Sequence, residues 1–293
     1  MHFLNLKDLS KGQITELIQK AKKLKEENQY SEKLKGKFLG LIFEKASTRT
    51  RISFEVAMAQ LGGIASFFPI NDLQLGRGEP LEDTARVISS MTNAIVLRTL
   101  EHETIERFSA FSSVPVINGL SDLSHPCQIL ADLLTFDENN GEIEGQKVAW
   151  IGDYNNVCYS YAEASRLMGF ELHVASPKEF WPSKETRNKL SVTFTEEIDK
   201  ALSNSSLVTT DVWVSMGKEK EKDEREKSFK EFKVTPKIMD LAKKDAIFLH
   251  CLPAIRGQEI SPDMLEDERS RVWSQARNRL FVQKSLLLHL LKD

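Results

Sequence analysis

The strongest constraint in this chain is an alternation that runs twice. Apolar runs of strand length are separated by helical stripes, the pattern pauses, and it starts again. In the first pass the runs fall at 38–43, 65–68, 94–97 and 114–117. Between them Phe54, Ala57, Met58 and Leu61 share one helical face that Gly62 can close, and Leu81, Ala85, Ile88 and Met91 share another. The second pass has strands at 148–151, 171–175, 206–210 and 246–249 and a helix at 161–168. Strands that alternate with helices lie side by side in mainly parallel sheets, because each return crosses over through a helix.

The expected fold is therefore α/β, with two doubly wound domains of mainly parallel sheets joined by interdomain helices. A helix from 126 to 136 runs into the polar stretch 137–145, which sets the expected division: residues 1–136, residues 137–274, and a helix in 275–293 returning to the first domain. The opening helix carries a capping box at Ser10 and Gln13, then a stripe of Ile14, Leu17, Ile18, Ala21 and Leu24. The last helix, expected at 278–291, carries Leu280, Leu287, Leu288 and Leu291. The dense charge of 218–233 reads as a solvated, mobile loop and a candidate lid.

Bulk numbers remove several function classes. A net charge of −3 supplies no field for nucleic acid or an anionic membrane, so any anion site must be local. Cys127, Cys158 and Cys251 are odd in number and lack CxxC spacing, which argues against disulfides and a zinc cluster. A reducing compartment, the cytoplasm, is expected. No apolar run reaches the ~20 residues that cross a bilayer, and charge at Lys7 and Asp8 interrupts any leader-like stretch.

The chemistry concentrates where strand 38–43 meets the next helix. Ser47, Thr48, Arg49, Thr50 and Arg51 load a helix N-terminus with hydroxyls and guanidinium groups. Unpaired backbone N–H groups and the positive dipole end favour an anion there, and phosphate is the natural guest. A simple cap by Ser47 or Thr48 is the plainer alternative. Further along, His125 precedes Pro126, which places it at another helix N-terminus, where the dipole disfavours the imidazolium. The segment Gly152-Asp153-Tyr154 lacks the glycines of a dinucleotide loop, so no nicotinamide cofactor is expected, and no metal or other cofactor either.

The pentapeptide 47–51 resembles the carbamoyl-phosphate signature of the aspartate and ornithine carbamoyltransferase family. Further matches follow in that family's order: 75–79 with 82–86, Arg98-Thr99, His125-Pro126-Cys127-Gln128, Gly152-Asp153 with Asn155-Asn156, Asp211 with Ser215-Met216-Gly217, His250-Cys251-Leu252-Pro253, and Asn278-Arg279. The later ones look like the ornithine branch.

The resemblance implies transfer of a carbamoyl group from carbamoyl phosphate to the side-chain amine of L-ornithine, giving citrulline and phosphate. It implies that Arg98, His125 and Thr50 surround the carbonyl oxygen, with Gln128 near the amide. Ser47, Thr48, Arg49 and Arg279 would hold the phosphate, with Cys251 and Leu252 completing the carbamoyl-phosphate site. It assigns ornithine to Asn156, Asp211, Ser215 and Met216, and sets Cys251 beside the attacking amine, so that Arg98, His125, Asp211 and Cys251 are the expected catalytic residues. It also implies a trimer or an assembly of trimers, a substrate cleft between the domains, and a place in arginine biosynthesis.

An alkyl amine has a pKa of about 10.4, so the site must favour its neutral form, with Asp211 or Cys251 orienting it or taking a proton. The other acceptors compatible with this reading are putrescine and N-acylated ornithine. Aspartate fits poorly, because no pair of basic residues accompanies Cys251. A relative that binds carbamoyl phosphate without turnover fits worse still, since the reacting groups are all present. Two positions depart from the family pattern: Tyr154, and Arg277 where glutamate is usual, which reverses a charge near Arg279.

Overall fold

The strand-and-helix alternation resolves into two all-parallel sheets in a computed structural model that describes residues 1–27, 30–74, 78–215 and 217–291. The chain forms two compact units, Met1–Leu134 with Arg277–Asp293, and Thr135–Ala276.

In the first unit, helix α1 (Lys11–Glu27) is opened by the expected capping box: Ser10 N donates to Gln13 Oε1 at 2.9 Å and Gln13 N to Ser10 Oγ at 3.3 Å. Strand β1 (Phe38–Phe43), helix α2 (Thr48–Gln60), strand β2 (Ile64–Pro69), helix α3 (Leu81–Ser89), strand β3 (Ala94–Arg98), helix α4 (His102–Phe111) and strand β4 (Val116–Leu120) follow. The sheet order is β2-β1-β3-β4. Its strands are apolar on both faces because helices cover both; Leu39, Leu41, Ile42, Ile95, Val96 and Leu97 are all buried. Gly62 adopts φ of +81°, and a β-carbon there would meet the Glu32 backbone at 2.9 Å, so only glycine closes α2 in this way.

Helix α5 (Pro126–Asn140) runs on into the polar stretch 137–145 that set the expected division, and the chain passes from one unit to the other within the helix. The sidedness of Asp137 to Asn140 is polar, yet polarity alone does not stop a helix; Gly141, at φ +77°, does.

The second unit contains β5 (Lys147–Ile151), α6 (Asn156–Met168), β6 (Glu171–Ala175), α7 (Lys184–Lys189), β7 (Val192–Thr195), α8 (Ile198–Leu202), β8 (Leu207–Thr210), α9 (Lys222–Ser228), α10 (Pro236–Met239) and β9 (Ile247–His250). The order is β7-β6-β5-β8-β9. The edge strand β7 was not visible in the sequence, because at four half-exposed or exposed residues its apolar signal is weak. Helix α11 (Val272–Leu290) starts earlier than expected and carries the chain back into the first unit.

The charged segment 218–233 is not a solvated loop. It folds into short helical turns around α9, and Arg225, Phe229 and Phe232 are buried, the two aromatics within the unit's main apolar core. Charge density misled because lysines and glutamates cover only the outer face of these turns.

Each sheet has one point where the chain reverses its direction of winding, between β1 and β3 in the first and between β5 and β8 in the second. Ligand sites in such sheets form outside the carboxyl ends of the strands at that reversal. Ser47 follows β1 and Arg98 ends β3; Asn155 follows β5 and Asp211 follows β8.

Candidate active site

In the first unit, strands β1 and β3 run in register so that Phe43 lies opposite Arg98, and Glu44 N donates to the Arg98 carbonyl at 2.8 Å. That places Arg98 beside the turn leading into α2. Ser47 caps α2, its hydroxyl accepting from Thr50 N at 3.3 Å, so the plainer reading of Ser47 holds at this position. Thr48 is exposed and Arg49 half-buried on the first turn. Arg51 turns outward to Glu55 at 3.0 Å and lies 4.0 Å over the Phe67 ring, along a recess of about 420 Å³ that Ser47 and Thr48 also line.

His125 directly precedes Pro126, the first residue of α5, and is 5% exposed. Its imidazole is held well below the ordinary histidine range by burial, then by the guanidinium groups of Arg279, Arg98 and Arg49. The ring is therefore neutral as expected, but burial and three arginines hold it there. One turn on, Gln128 is fixed at both ends. Its Nε2 donates to Asp132 Oδ1 at 2.8 Å, and its Oε1 accepts from Arg279 Nη1 at 2.7 Å. Arg279 Nη2 reaches Thr50 Oγ1 at 3.1 Å. Arg279, 2% exposed on α11, thus ties together the N-terminal turns of α2 and α5.

The charge reversal at Arg277 does not disturb this cluster. Residues two apart on a helix face away from each other, and the exposed Arg277 lies 5.9 Å from the Phe281 ring. Asn278, fully buried, accepts from Lys25 Nζ at 2.9 Å.

In the second unit, β5 is followed at once by Gly152, whose φ of +131° no other residue type adopts easily; a β-carbon there would sit 3.3 Å from Thr210 Oγ1. This tight passage brings Asn155 to the start of α6 and against Asp211. Asn155 Nδ2 donates to Asp211 Oδ2 at 2.7 Å and to Ser215 Oγ at 3.3 Å, while Cys251 Sγ donates to Asp211 Oδ1 at 3.1 Å. Asn156, half-buried, is the first residue of α6. Met216 lies outside the described residues, as do Leu75 to Arg77 of the matched motif.

The loop after β9 is strapped by buried polar groups. His250 Nδ1 accepts from Leu252 N at 2.9 Å, so its Nε2 carries the hydrogen and donates to Glu259 Oε1 at 3.1 Å. Glu259 also accepts from Ile255 N at 2.6 Å, and both His250 and Glu259 side chains are fully buried. Leu252 is held at φ +56°, a left-handed conformation costing about 1 kcal/mol or more for a residue with a β-carbon. Asp211, His250 and Cys251 bring ligand-type atoms within 4.8 Å of one another, a grouping their spacing in the chain had not suggested. Both ring nitrogens of His250 are already engaged, so a metal here would have to break the strap.

Of the expected residues, Thr50, His125, Gln128 and Arg279 are joined by direct bonds or by charge in the first unit, with Arg49 and Arg98 felt at His125. Asp211, Ser215 and Cys251 are joined in the second. Cys251 and Leu252 belong to that second unit, unlike the rest of the expected carbamoyl-phosphate set. Asp132, Asn155, His250 and Glu259 were absent from the expected site. Asp132 was discoverable as the i+4 partner of Gln128 and Asn155 as a helix cap; Glu259 carried no local signal.

Residues 1–138 match the family described as "Aspartate/ornithine carbamoyltransferase, carbamoyl-P binding domain", and residues 144–290 its "Asp/Orn binding domain". The chain belongs to the aspartate/ornithine carbamoyltransferase family. Among members of that family, an ornithine carbamoyltransferase from Psychrobacter cryohalolentis is 51% identical over 100% of this chain and 97% of that relative. The anabolic ornithine carbamoyltransferase of Campylobacter jejuni is 44% identical, with a TM-score of 0.92 over 99% of this chain and 98% of that one. The Pyrococcus furiosus ornithine carbamoyltransferase is 41% identical, also at 0.92, over 99% and 96%. The match to the carbamoyl-phosphate domain thus contains Arg49, Arg98 and His125, and the match to the amino-acid domain contains Asp211, Cys251 and, on α11, Arg279.

Proposed function

We propose that this protein is an ornithine carbamoyltransferase, an enzyme that transfers the carbamoyl group of carbamoyl phosphate to the δ-amine of L-ornithine and releases citrulline and phosphate. The observation that carries the acceptor is the buried Asp211 bonded to the Cys251 thiol and flanked by Asn155 and Ser215. An anionic group with neutral donors suits an amino acid that presents two ammonium groups and one carboxylate.

In the proposed reaction the first unit holds carbamoyl phosphate and the second holds ornithine. Arg279, Arg49, Ser47 and Thr48 bind the phosphate; Arg98, neutral His125 and Thr50 donate to the carbonyl oxygen; Gln128 and the Cys251-Leu252 backbone meet the amide. Asn156, Asp211, Ser215 and Met216 bind ornithine. The neutral δ-amine attacks the carbonyl carbon, the new C–N bond forms, and the oxygen that collects charge is stabilised by donors already in place, an effect worth about 3 to 4 kcal/mol per donor. The C–O bond to phosphate then breaks, phosphate leaves with the bonding pair, and the amine passes its proton to Asp211, towards which the Cys251 thiol donates.

Transfer to ornithine fits a role in arginine biosynthesis. None of the described helices is long and apolar enough to cross a membrane, which agrees with a cytoplasmic enzyme, and the family reading extends to a homotrimer or an assembly of trimers. The test supplies purified protein with carbamoyl phosphate and, in parallel, ornithine, putrescine, N-acetylornithine and aspartate, following phosphate and the carbamoylated product. Ornithine-dependent citrulline is expected; preference for another amine overturns the roles of Asp211 and Asn156.

A further inference from the structure

The side-chain amide of Asn155 is committed at both ends. Its Oδ1 accepts from Val157 N and Cys158 N, each at 3.0 Å, capping α6. Those two donors decide which end of the amide is oxygen, so the NH₂ group points the other way. There it donates to Asp211 Oδ2 at 2.7 Å and to Ser215 Oγ at 3.3 Å. The second oxygen of Asp211, Oδ1, receives the Cys251 thiol at 3.1 Å. One rigid amide therefore joins the ends of β5 and β8 directly and, through Asp211, reaches the residue after β9.

We propose that Asn155 is a positioning residue for the amine acceptor: it locks Asp211 in the rotamer that faces Cys251 and holds Ser215 alongside. The inference rests on the reading that Asp211 and Cys251 meet the acceptor. The terminal torsion of an aspartate is broad, so without a fixed partner the carboxylate samples a wide range of orientations. The charged neighbours do not supply that partner. Asp153, buried and paired with Arg225 at 2.8 Å, repels Asp211. His250 on the other side is spent on Leu252 and Glu259, and Lys218 is felt at Asp153. The Asn155 N–H is the donor that sets the orientation, and a bond to a charged group from a capped, immobile amide is of the stronger kind.

Asn155→Asp tests this, because aspartate caps helices as well as asparagine and keeps α6 intact while removing the donor and adding a carboxylate. At pH 8, kcat/KM for ornithine is expected to fall roughly 10- to 100-fold, carried by KM for ornithine, with KM for carbamoyl phosphate changed by less than about twofold. Two adjacent carboxylates raise one of their pKa values, so as pH is lowered towards 6 the introduced group takes a proton and donates to Asp211 again. The deficit relative to wild type should shrink over that range. Asn155→Ser keeps a capping hydroxyl that falls short of Asp211, and should show the ornithine defect without recovery at low pH. An unchanged ornithine KM in both variants, or equal losses towards both substrates, overturns the proposal. If wild-type protein turns over no acceptor, the proposed function fails instead. The positioning role is then decided by the alkylation rate of Cys251, the one cysteine that is not fully buried. Asn155→Ser must change that rate severalfold, and an unchanged rate overturns the role.

Discussion

Arg279 in the first unit and Arg225 in the second are both nearly removed from solvent, at 2% and 5% exposure, yet they are held differently. Arg225 meets carboxylates: Nη1 lies 2.8 Å from Asp153 and Nε 2.8 Å from Glu221, with the Trp213 carbonyl at 3.2 Å and the Phe180 ring at 4.9 Å. Arg279 donates to the neutral oxygens of Gln128 and Thr50, and its charge is felt outward, pulling down the His125 imidazole and opposing the burial that raises the Cys127 thiol to about 12. A guanidinium neutralised by carboxylates serves the fold, since the ion pair fastens α9 to the end of β5. The charge of Arg279 is felt at His125, and a positive field there also favours an anion at the same helix ends. Burial alone does not separate the two roles; what each charge acts on does.

Removing each charge should separate them in measurement. Arg279→Met is expected to give the largest effect, a loss of roughly 1000-fold, or about 4 kcal/mol, in kcat/KM for carbamoyl phosphate. It should also cancel the upward shift of Tm that phosphate gives the wild type, and cost about 1 to 3 kcal/mol of stability in phosphate-free buffer through the bonds lost by Gln128 and Thr50. A variant that is active but unfolds easily would break the comparison. Arg225→Met should act the other way, costing about 3 kcal/mol of stability in urea unfolding because Asp153 is left buried without its partner.

The sign of its pH dependence follows from Asp153, whose carboxyl is raised by burial, with Arg225 opposing that rise. Loss of Arg225 lifts the folded-state pKa further above the unfolded value. The folded state then binds the proton more tightly, and stability falls as pH rises from the unfolded pKa through the folded one. The cost of Arg225→Met should therefore be greater at pH 7 than at pH 4. The smallest effect sharpens the boundary between structure and binding at α2. Ser47→Ala should cost about 1 kcal/mol of stability through the lost cap. If KM for carbamoyl phosphate rises by more than that loss explains, the same hydroxyl also meets phosphate.

Much of the architecture was legible from residue order. The apolar runs at 38–43, 94–97, 148–151 and 171–175 became strands, and the Ser10 capping box opened α1, because period and caps are local properties. Where an element depends on its neighbours, reading failed: β7 is an edge strand of four residues, and α9 looks solvated until Arg225 and Phe229 are seen to turn inward. The anion cluster was anticipated in its residue types, but the cause of His125 neutrality was not, since burial and the charges of Arg279 and Arg98 arrive from distant parts of the chain.

The order of residues by itself determined two α/β units, a helix N-terminus rich in hydroxyls and guanidinium groups after β1, and the family to which the chain belongs. Only the tertiary structure decided which groups complete each other. Residues 229 positions apart become hydrogen-bond partners in Thr50 and Arg279, and Asp211 acquires Asn155 on one oxygen and Cys251 on the other. Propensity and periodicity act over a few residues, whereas orientation of a charge depends on whichever dipoles and ions the folded sheet brings to the ends of its strands.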